Sequence, residues 1–186
     1  MEKRYSGCVT QGQSLPRLWL LSDARNDAVL EDRLRRLPRG SGFVYRHYHL
    51  PDHERWRRYN TLKRLARAQD HWVILADSAL TACEWGADGI YGAPRALYPR
   101  RKDMIQIAAA HDMAEIAQAN RFGTDFVMIS PVFATNSHPG AISLGPSRFR
   151  ALAAKAKMPV IALGGMNAKS AKHLNWPRWA AIDGLS

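Results

Sequence analysis

Two stretches in the last third of the chain, VMISPVFATNSHPGAISLG (127–145) and PVIALGGMNAKSA (159–171), decide the fold. Each begins with a short apolar run typical of a buried strand and continues into a polar loop that leads to a helix. A (β/α) barrel gathers its reactive groups in this way, at the carboxyl ends of its strands. The sequence therefore predicts a functional site at strand ends.

The whole chain repeats this arrangement. Near-continuous apolar strands that alternate with helical patterns indicate a parallel sheet covered by helices. An open doubly wound sheet is the alternative, but eight units favour closure into a compact (β/α)8 TIM barrel, an α/β fold. We expect one domain over residues 17–186 after an N-terminal extension of residues 1–16. The eight apolar runs are 18–22, 42–50, 72–76, 87–92, 104–110, 125–130, 159–165 and 179–183.

Composition narrows the class of protein. With 46% hydrophobic and 23% charged residues, the chain is typical of a globular domain. No apolar run approaches the roughly 18 residues of a membrane helix, and the N-terminus lacks the apolar core of a signal peptide. The two cysteines, Cys8 and Cys83, have no metal-binding spacing, which favours reduced thiols and a cytoplasmic location. We expect Cys83 on the buried side of a helix over 78–86.

The net charge of +11 is the unusual feature of the composition. Eleven lysines and arginines lie between Glu31 and Arg67, against four acidic residues. This segment is open to three interpretations: a solvated helical face, attraction for an anionic substrate, or contact with nucleic acid. The helical spacing of its arginines favours the solvated face. No nucleic-acid-binding motif accompanies the charge.

Four segments resemble the thiamine-phosphate synthase/TenI superfamily of small TIM barrels. They are GADGIY (86–91), AAAHDMAE (108–115), GTDFVMISPVFATNS (123–137) and PVIALGGMN (159–167). The resemblance implies an enzyme of thiamine biosynthesis, a transferase that joins an aminopyrimidine diphosphate to a thiazole phosphate. Pyrophosphate is released, with magnesium and cationic side chains offsetting its charge.

The resemblance also implies roles for single residues. Gly164 and Gly165 match the turn that binds the thiazole phosphate through backbone N–H groups. Asp77 matches the first acidic ligand of Mg²⁺. The residues expected around the pyrimidine diphosphate are Arg46, Thr135, Ser137 and His138, of which Arg46 and His138 are the expected catalytic residues. Apart from the resemblance, the place of His47 on the second strand makes it a further expected substrate contact.

Other positions depart from the family pattern. The second metal carboxylate is replaced by Ala96, which leaves Mg²⁺ with Asp77 alone. The lysine that neutralises pyrophosphate is replaced by His138, and a neutral imidazole carries no charge at pH 7. Three arginines after the fourth strand are candidate substitutes for the lost cations. They are Arg95, Arg100 and Arg101.

These departures leave two alternatives to the synthase open. The first is a TenI-like thiazole tautomerase, whose histidine would have moved, because Pro131 stands at its usual position and cannot transfer a proton. His47, His49 and His138 are candidates for that histidine. The second alternative is a non-catalytic barrel that binds thiamine-related phosphates. All three hypotheses require small phosphorylated pyrimidine or thiazole ligands, and each is compatible with a homodimer.

Overall fold

The computed structural model describes residues 15–135 and 142–185, so most of the predicted extension, residues 1–14, lies outside the described residues. Within these ranges the chain forms eight β-strands and six α-helices. The strands are β1 (Leu18–Leu21), β2 (Gly42–Tyr45), β3 (Trp72–Leu75), β4 (Gly89–Gly92), β5 (Ile105–Ala110), β6 (Phe126–Ile129), β7 (Val160–Ala162) and β8 (Trp179–Ala181). The helices are α1 (Leu30–Arg36), α2 (Asp52–Ala68), α3 (Ala79–Trp85), α4 (Met113–Phe122), α5 (Gly145–Ala153) and α6 (Ala168–Leu174).

The eight strands form a closed parallel barrel in chain order, in which β8 pairs with β1. The prediction of a (β/α)8 barrel is therefore confirmed, and the open sheet is wrong. The segment after β4 forms only a short 3-10 turn, Pro94–Leu97, as its prolines predict. No helix of the described residues has the length and apolar character needed to cross a membrane.

Side chains of each strand alternate between the barrel interior and the layer beneath the helices. Interior residues form one apolar cluster, which includes Leu21, Val44 and Met128. The outer cluster joins strand residues such as Leu20 and Phe43 to the helices. At the amino-terminal end of the barrel the rings of Trp19, Trp72 and Phe126 meet in pairs, with centroids 6.0 to 6.3 Å apart, and fill the interior.

Local sequence signals account for the helix ends. Ser78, Asp112 and Asn167 cap the amino ends of α3, α4 and α6 through their side-chain oxygens. Gly86 and Gly123 end α3 and α4 in the left-handed conformation that glycine adopts readily.

Two local expectations are wrong. The amphipathic pattern of DAVLEDRLRRL (27–37) predicts one helix, but the structure has a 3-10 helix, Ala24–Val29, followed by α1. Cys83, expected on the buried side of α3, is exposed. Ala82 occupies the buried position instead, since neighbouring residues on a helix point in different directions.

The basic segment between Glu31 and Arg67 forms many internal ion pairs. Arg58 contacts Asp27 at 2.8 Å and Glu31 at 2.6 Å, and Arg67 contacts Asp88 at 3.0 Å. Arg57 and Arg64 on the same helix are exposed, so the face is solvated at these positions, as the spacing predicts, and is tied to carboxylates of the same chain at Arg58 and Arg67.

The strand glycines offer a test of interior packing. A Cβ at Gly89 would lie 2.2 Å from the backbone oxygen of Ile105 on β5, which cannot move away without distorting the sheet. We expect Gly89→Ala to destabilise the protein by about 1–3 kcal/mol, measured by urea unfolding.

Gly92→Ala on the same strand is the matched control. Its Cβ would make ordinary contacts with Leu97 at 3.8 Å and Ala96 at 3.9 Å, so we expect no loss and a gain of up to about 1 kcal/mol. Equal unfolding midpoints for the two variants would contradict this account of the packing.

Candidate ligand-binding site

A cavity of about 610 Å³ opens at the carboxyl ends of the strands, opposite the aromatic rings that fill the other end. Its size lies within the range of small-molecule sites. The wall combines apolar side chains such as Leu163 and Ile182 with a small number of polar groups. The polar lining residues are Arg46, Tyr91, His111, Ser130, Thr135, Asn167 and Asp183. The cavity therefore lies at the strand ends, where the sequence predicts a functional site.

Side-chain alternation explains which residues reach the cavity. Val44 points into the barrel, so Arg46, two residues later, continues on the inward side and lines the cavity. His47 falls on the opposite side, where it stacks on Tyr45 with 4.8 Å between ring centroids. The structure thus places Arg46 where the resemblance implies and places His47 outside the cavity lining.

The position of Arg46 is held by the end of β1. Its backbone N–H donates to the Ser22 hydroxyl at 2.7 Å, and Nε donates to the Ser22 carbonyl at 2.8 Å. The guanidinium also pairs with Asp23 at 2.9 Å. Because these contacts already fix the Arg46 side chain beside the cavity, it loses little conformational entropy when it binds an anion.

His47 is part of a buried polar network rather than of the cavity wall. One ring nitrogen lies 2.8 Å from the Ser22 hydroxyl and the other lies 2.8 Å from the Asp27 carboxylate. Burial lowers the pKa of His47, although the hydrogen bond to Asp27 acts in the other direction. His47 is 1% exposed, whereas the Asp27 side chain is 38% exposed, so the network holds the loop that carries Arg46 and reaches solvent at Asp27.

The Gly164–Gly165 turn after β7 supplies the backbone part of the site. Both residues have positive φ, +92° and +62°. Among the described residues, none accepts a hydrogen bond from the N–H group of either glycine. Because both glycines line the cavity, these N–H groups can bind an anion there.

The two glycines also allow the loop after β6 to pack closely. A Cβ at Gly164 would lie 2.6 Å from Cα of Pro131, and one at Gly165 would lie 2.5 Å from the Ala134 oxygen. The N–H of Val132 donates to the Leu163 carbonyl at 2.9 Å, and that of Phe133 to the Gly164 carbonyl at 3.1 Å. The turn therefore has a packing role in addition to any role in binding.

Two residues with ionisable rings face the same cavity. Burial raises the pKa of Tyr91 to about 12, which keeps its hydroxyl neutral and able to donate a hydrogen bond. The Nδ1 atom of His111 lies 3.0 Å from the Glu115 carboxylate, which orients the ring. The spacing of Asp112 and Glu115 predicts a capping box, but the Glu115 carboxylate accepts from the backbone N–H of His111 at 2.6 Å, one residue before the cap.

The remaining predicted residues divide into three groups. Thr135 lines the cavity, as expected. Ser137 and His138 lie outside the described residues, so their roles stay predictions. Arg100 and Arg101 contact Asp125 and Asp103 close to the starts of β6 and β5, at the end of the barrel opposite the cavity. They do not replace the missing cations of the site.

The described residues do not fit the magnesium ion that the resemblance implies. Asp77 is not part of the cavity lining, and its carboxylate binds the guanidinium of Arg55 and the N–H of Ser78. Burial acts to raise the pKa of Asp77, but hydrogen bonds led by that of Arg55 lower it. Ala96 offers no ligand, and the described part of the chain contains no group of three or more histidine, cysteine or acidic residues suited to a metal.

Sequence reasoning did not assign Tyr91, Ser130, Asn167 or Asp183 to the site. Tyr91 and Ser130 could have been found from alternation, because each lies two residues beyond an interior strand position. Asn167 was predicted only as a helix cap. Asp183 carries no local signal, because it reaches the cavity through the closure of β8 against β1.

The fold and the cavity define a small TIM barrel with a ligand site at its strand ends, and comparison with known proteins identifies the family. The family model described as thiamine monophosphate synthase matches residues 20–181. The chain therefore belongs to the thiamine-phosphate synthase/TenI superfamily, which confirms the resemblance.

Individual relatives agree with this assignment. The chain is 27% identical over 160 residues to the "Putative thiamine-phosphate synthase 2" of Aquifex aeolicus, covering 82% of this chain and 86% of the relative. It is 24% identical over 164 residues to the thiamine-phosphate synthase of Pyrococcus furiosus, covering 85% and 79%. A solved thiamine phosphate pyrophosphorylase from Pyrococcus furiosus shares the fold, with a TM-score of 0.74 and 23% identity over 89% of this chain and 85% of that one.

The buried histidines predict how stability responds to acid. Burial lowers the pKa values of His47 and His71 below the ordinary 6.5, so the unfolded chain binds their protons more readily than the folded protein. Their stabilising contribution is complete above pH 6.5 and is lost as the pH falls through the lower folded pKa values. We expect the free energy of unfolding to fall as the pH drops from 6.5 to 5, by up to about 1.4 kcal/mol per pH unit and histidine, and the melting temperature to fall with it.

His71→Gln tests whether the buried histidines cause the acid sensitivity, because it removes one of these two titrating groups. Its melting temperature is expected to fall less steeply with acid than that of the wild type. The control is His53→Gln, at a side chain that is 67% exposed. A wild-type profile that is flat between pH 7.5 and pH 5 would refute the prediction.

Proposed function

We propose that the cavity binds a thiamine-related phosphate ester, with the phosphate at the Gly164–Gly165 turn. One observation carries the proposal: two backbone N–H groups without a protein acceptor among the described residues and the Arg46 guanidinium line the same cavity. Backbone N–H groups and a nearby arginine are the usual ligands of a phosphate in proteins. Family membership indicates the chemical class of the ester.

The rest of the ligand would lie against the apolar part of the wall. Leu163, Ile182 and Pro131 provide a surface for a heteroaromatic ring, and the neutral Tyr91 hydroxyl can donate to a ring nitrogen. A phosphorylated thiazole, a phosphorylated pyrimidine and thiamine phosphate share this combination of one anionic end and one flat ring. Thiazole phosphate and thiamine phosphate are the preferred candidate ligands, because the resemblance assigns the Gly164–Gly165 turn to the thiazole phosphate.

Coupling of the pyrimidine and thiazole halves is the second candidate function. The position of Arg46 and Thr135 at the same cavity favours it, because a cation and a hydroxyl there can stabilise the negative charge of departing pyrophosphate. The described residues supply no metal site for this step, so the proposal assigns the charge to Arg46 alone.

Binding can be measured by isothermal titration calorimetry with thiamine phosphate, thiazole phosphate and unphosphorylated thiamine. We expect the phosphate esters to bind and thiamine to bind at least tenfold more weakly. Arg46→Met removes a charged hydrogen-bond donor and is expected to weaken phosphate-ester binding about 10- to 100-fold. Gly164→Ala should abolish binding, because its Cβ would displace Pro131.

Arg57→Met is the matched control, since Arg57 is an exposed arginine outside the cavity lining. Equal affinity for thiamine and thiamine phosphate, or an unaltered affinity in Arg46→Met, would overturn the proposed site. A thiamine-phosphate formation assay with both substrates and Mg²⁺ then separates the two functions. Turnover would establish coupling, and ester binding without turnover would establish a binding protein.

A further inference from the structure

Arg55 is the most deeply buried arginine that the structure describes, with a residue exposure of only 6%. It projects from α2 to the carboxyl ends of β2 and β3. Its guanidinium donates from Nε to the Arg46 carbonyl at 2.9 Å and from Nη2 to the Ala76 carbonyl at 3.0 Å. The Nη1 atom donates to the Asp77 carboxylate. Three oxygens from two strand ends therefore converge on one cation.

Aromatic rings surround the same guanidinium. Its central carbon lies 5.9 Å from the ring centroid of Tyr45, 5.6 Å from that of Tyr48 and 5.5 Å from that of Trp85. Ring faces at these distances attract a cation, and the attraction is larger where water is excluded. Tyr48, two residues after Arg46, thus presents its ring to the guanidinium of Arg55.

The oxygens that accept hydrogen bonds from Arg55 are of the same kind as the ligands of a hard divalent cation. A carboxylate and two backbone carbonyls are ordinary ligands of Mg²⁺ or Ca²⁺, and Asp77 is the residue that the resemblance assigns to Mg²⁺. A guanidinium is always charged and directs its N–H groups in a fixed plane, which suits several oxygens at once. With these oxygens already bonded to Arg55, a metal ion would have to displace a buried side chain.

We propose that Arg55 is a built-in cation that takes the place of Mg²⁺ at Asp77 and ties the ends of β2 and β3 together. The arrangement also fixes the Arg46 carbonyl, so the backbone beside the cavity is held by an ion pair and needs no metal. The inference concerns the protein without ligand and does not depend on which phosphate ester the cavity binds.

The test combines Mg²⁺ titration with thermal unfolding of the full chain. We expect no heat of Mg²⁺ binding at Asp77 and the same melting temperature in 10 mM Mg²⁺ and in EDTA. Asp77→Asn leaves Arg55 buried without its counter-charge, and Arg55→Met leaves the carboxylate without its partner. Each should lower the melting temperature by about 6 to 20 °C.

The exposed pair of Arg39 and Asp70 provides the controls. Its side chains are 63% and 51% exposed, so Arg39→Met and Asp70→Asn should each lower the melting temperature by about 4 °C or less. Two results would overturn the proposal. The first is that the wild type binds Mg²⁺ and that Asp77→Asn abolishes this binding. The second is that the Asp77→Asn variant is as stable as the Asp70→Asn variant. If Arg55→Met does not fold, Asp77→Asn and the wild-type titration still decide.

Discussion

The alternation of side chains in a closed parallel barrel is the constraint on which the rest of this structure depends. Each strand residue must face either the interior or the helices. Because β8 pairs with β1, the barrel has no free edge strand at which a residue could avoid both environments. Large rings, Trp19, Trp72 and Phe126, fill the amino-terminal end of the interior. At the other end the inward rows continue into residues such as Arg46 and Tyr91, which line the cavity.

Part of the positive charge of this protein is paired with carboxylates on other elements. The chain carries a net charge of +11, yet Arg55, Arg58 and Arg67 each bind a carboxylate that lies on another element. These pairs join α2 to its neighbouring strands and loops, and they supplement the apolar contacts of the outer layer. Arg46 is the cation that the fold brings to the cavity wall, and even this residue is positioned by Asp23 and Ser22.

The loop after β6 and the turn after β7 behave as one unit. Hydrogen bonds from Val132 and Phe133 join them, and the lack of side chains at Gly164 and Gly165 allows the close approach. A phosphate bound by the turn would therefore contact a segment already fixed by the neighbouring strand. Preorganisation of this kind reduces the entropy that binding must overcome. The packing and binding roles of the two glycines both follow from the close approach of the loop after β6 to the turn after β7.

The sequence by itself determined the barrel, the strand order, most helix ends and the family, because apolar runs, caps and the Gly-Gly turn are local signals. It also placed Arg46, Thr135, Gly164 and Gly165 at the strand ends. Alternation along the strands puts Tyr91 on the inward side and His47 on the outward side. Only the tertiary structure decided that Asp183 reaches the cavity and that Ser22 and Asp27 hold the His47 ring. It likewise decided that Asp77 meets Arg55, 22 residues away in the chain. Such pairings depend on how α2 packs across two strands. The spacing of Arg55 and Asp77 along the chain does not predict how close their side chains lie in space.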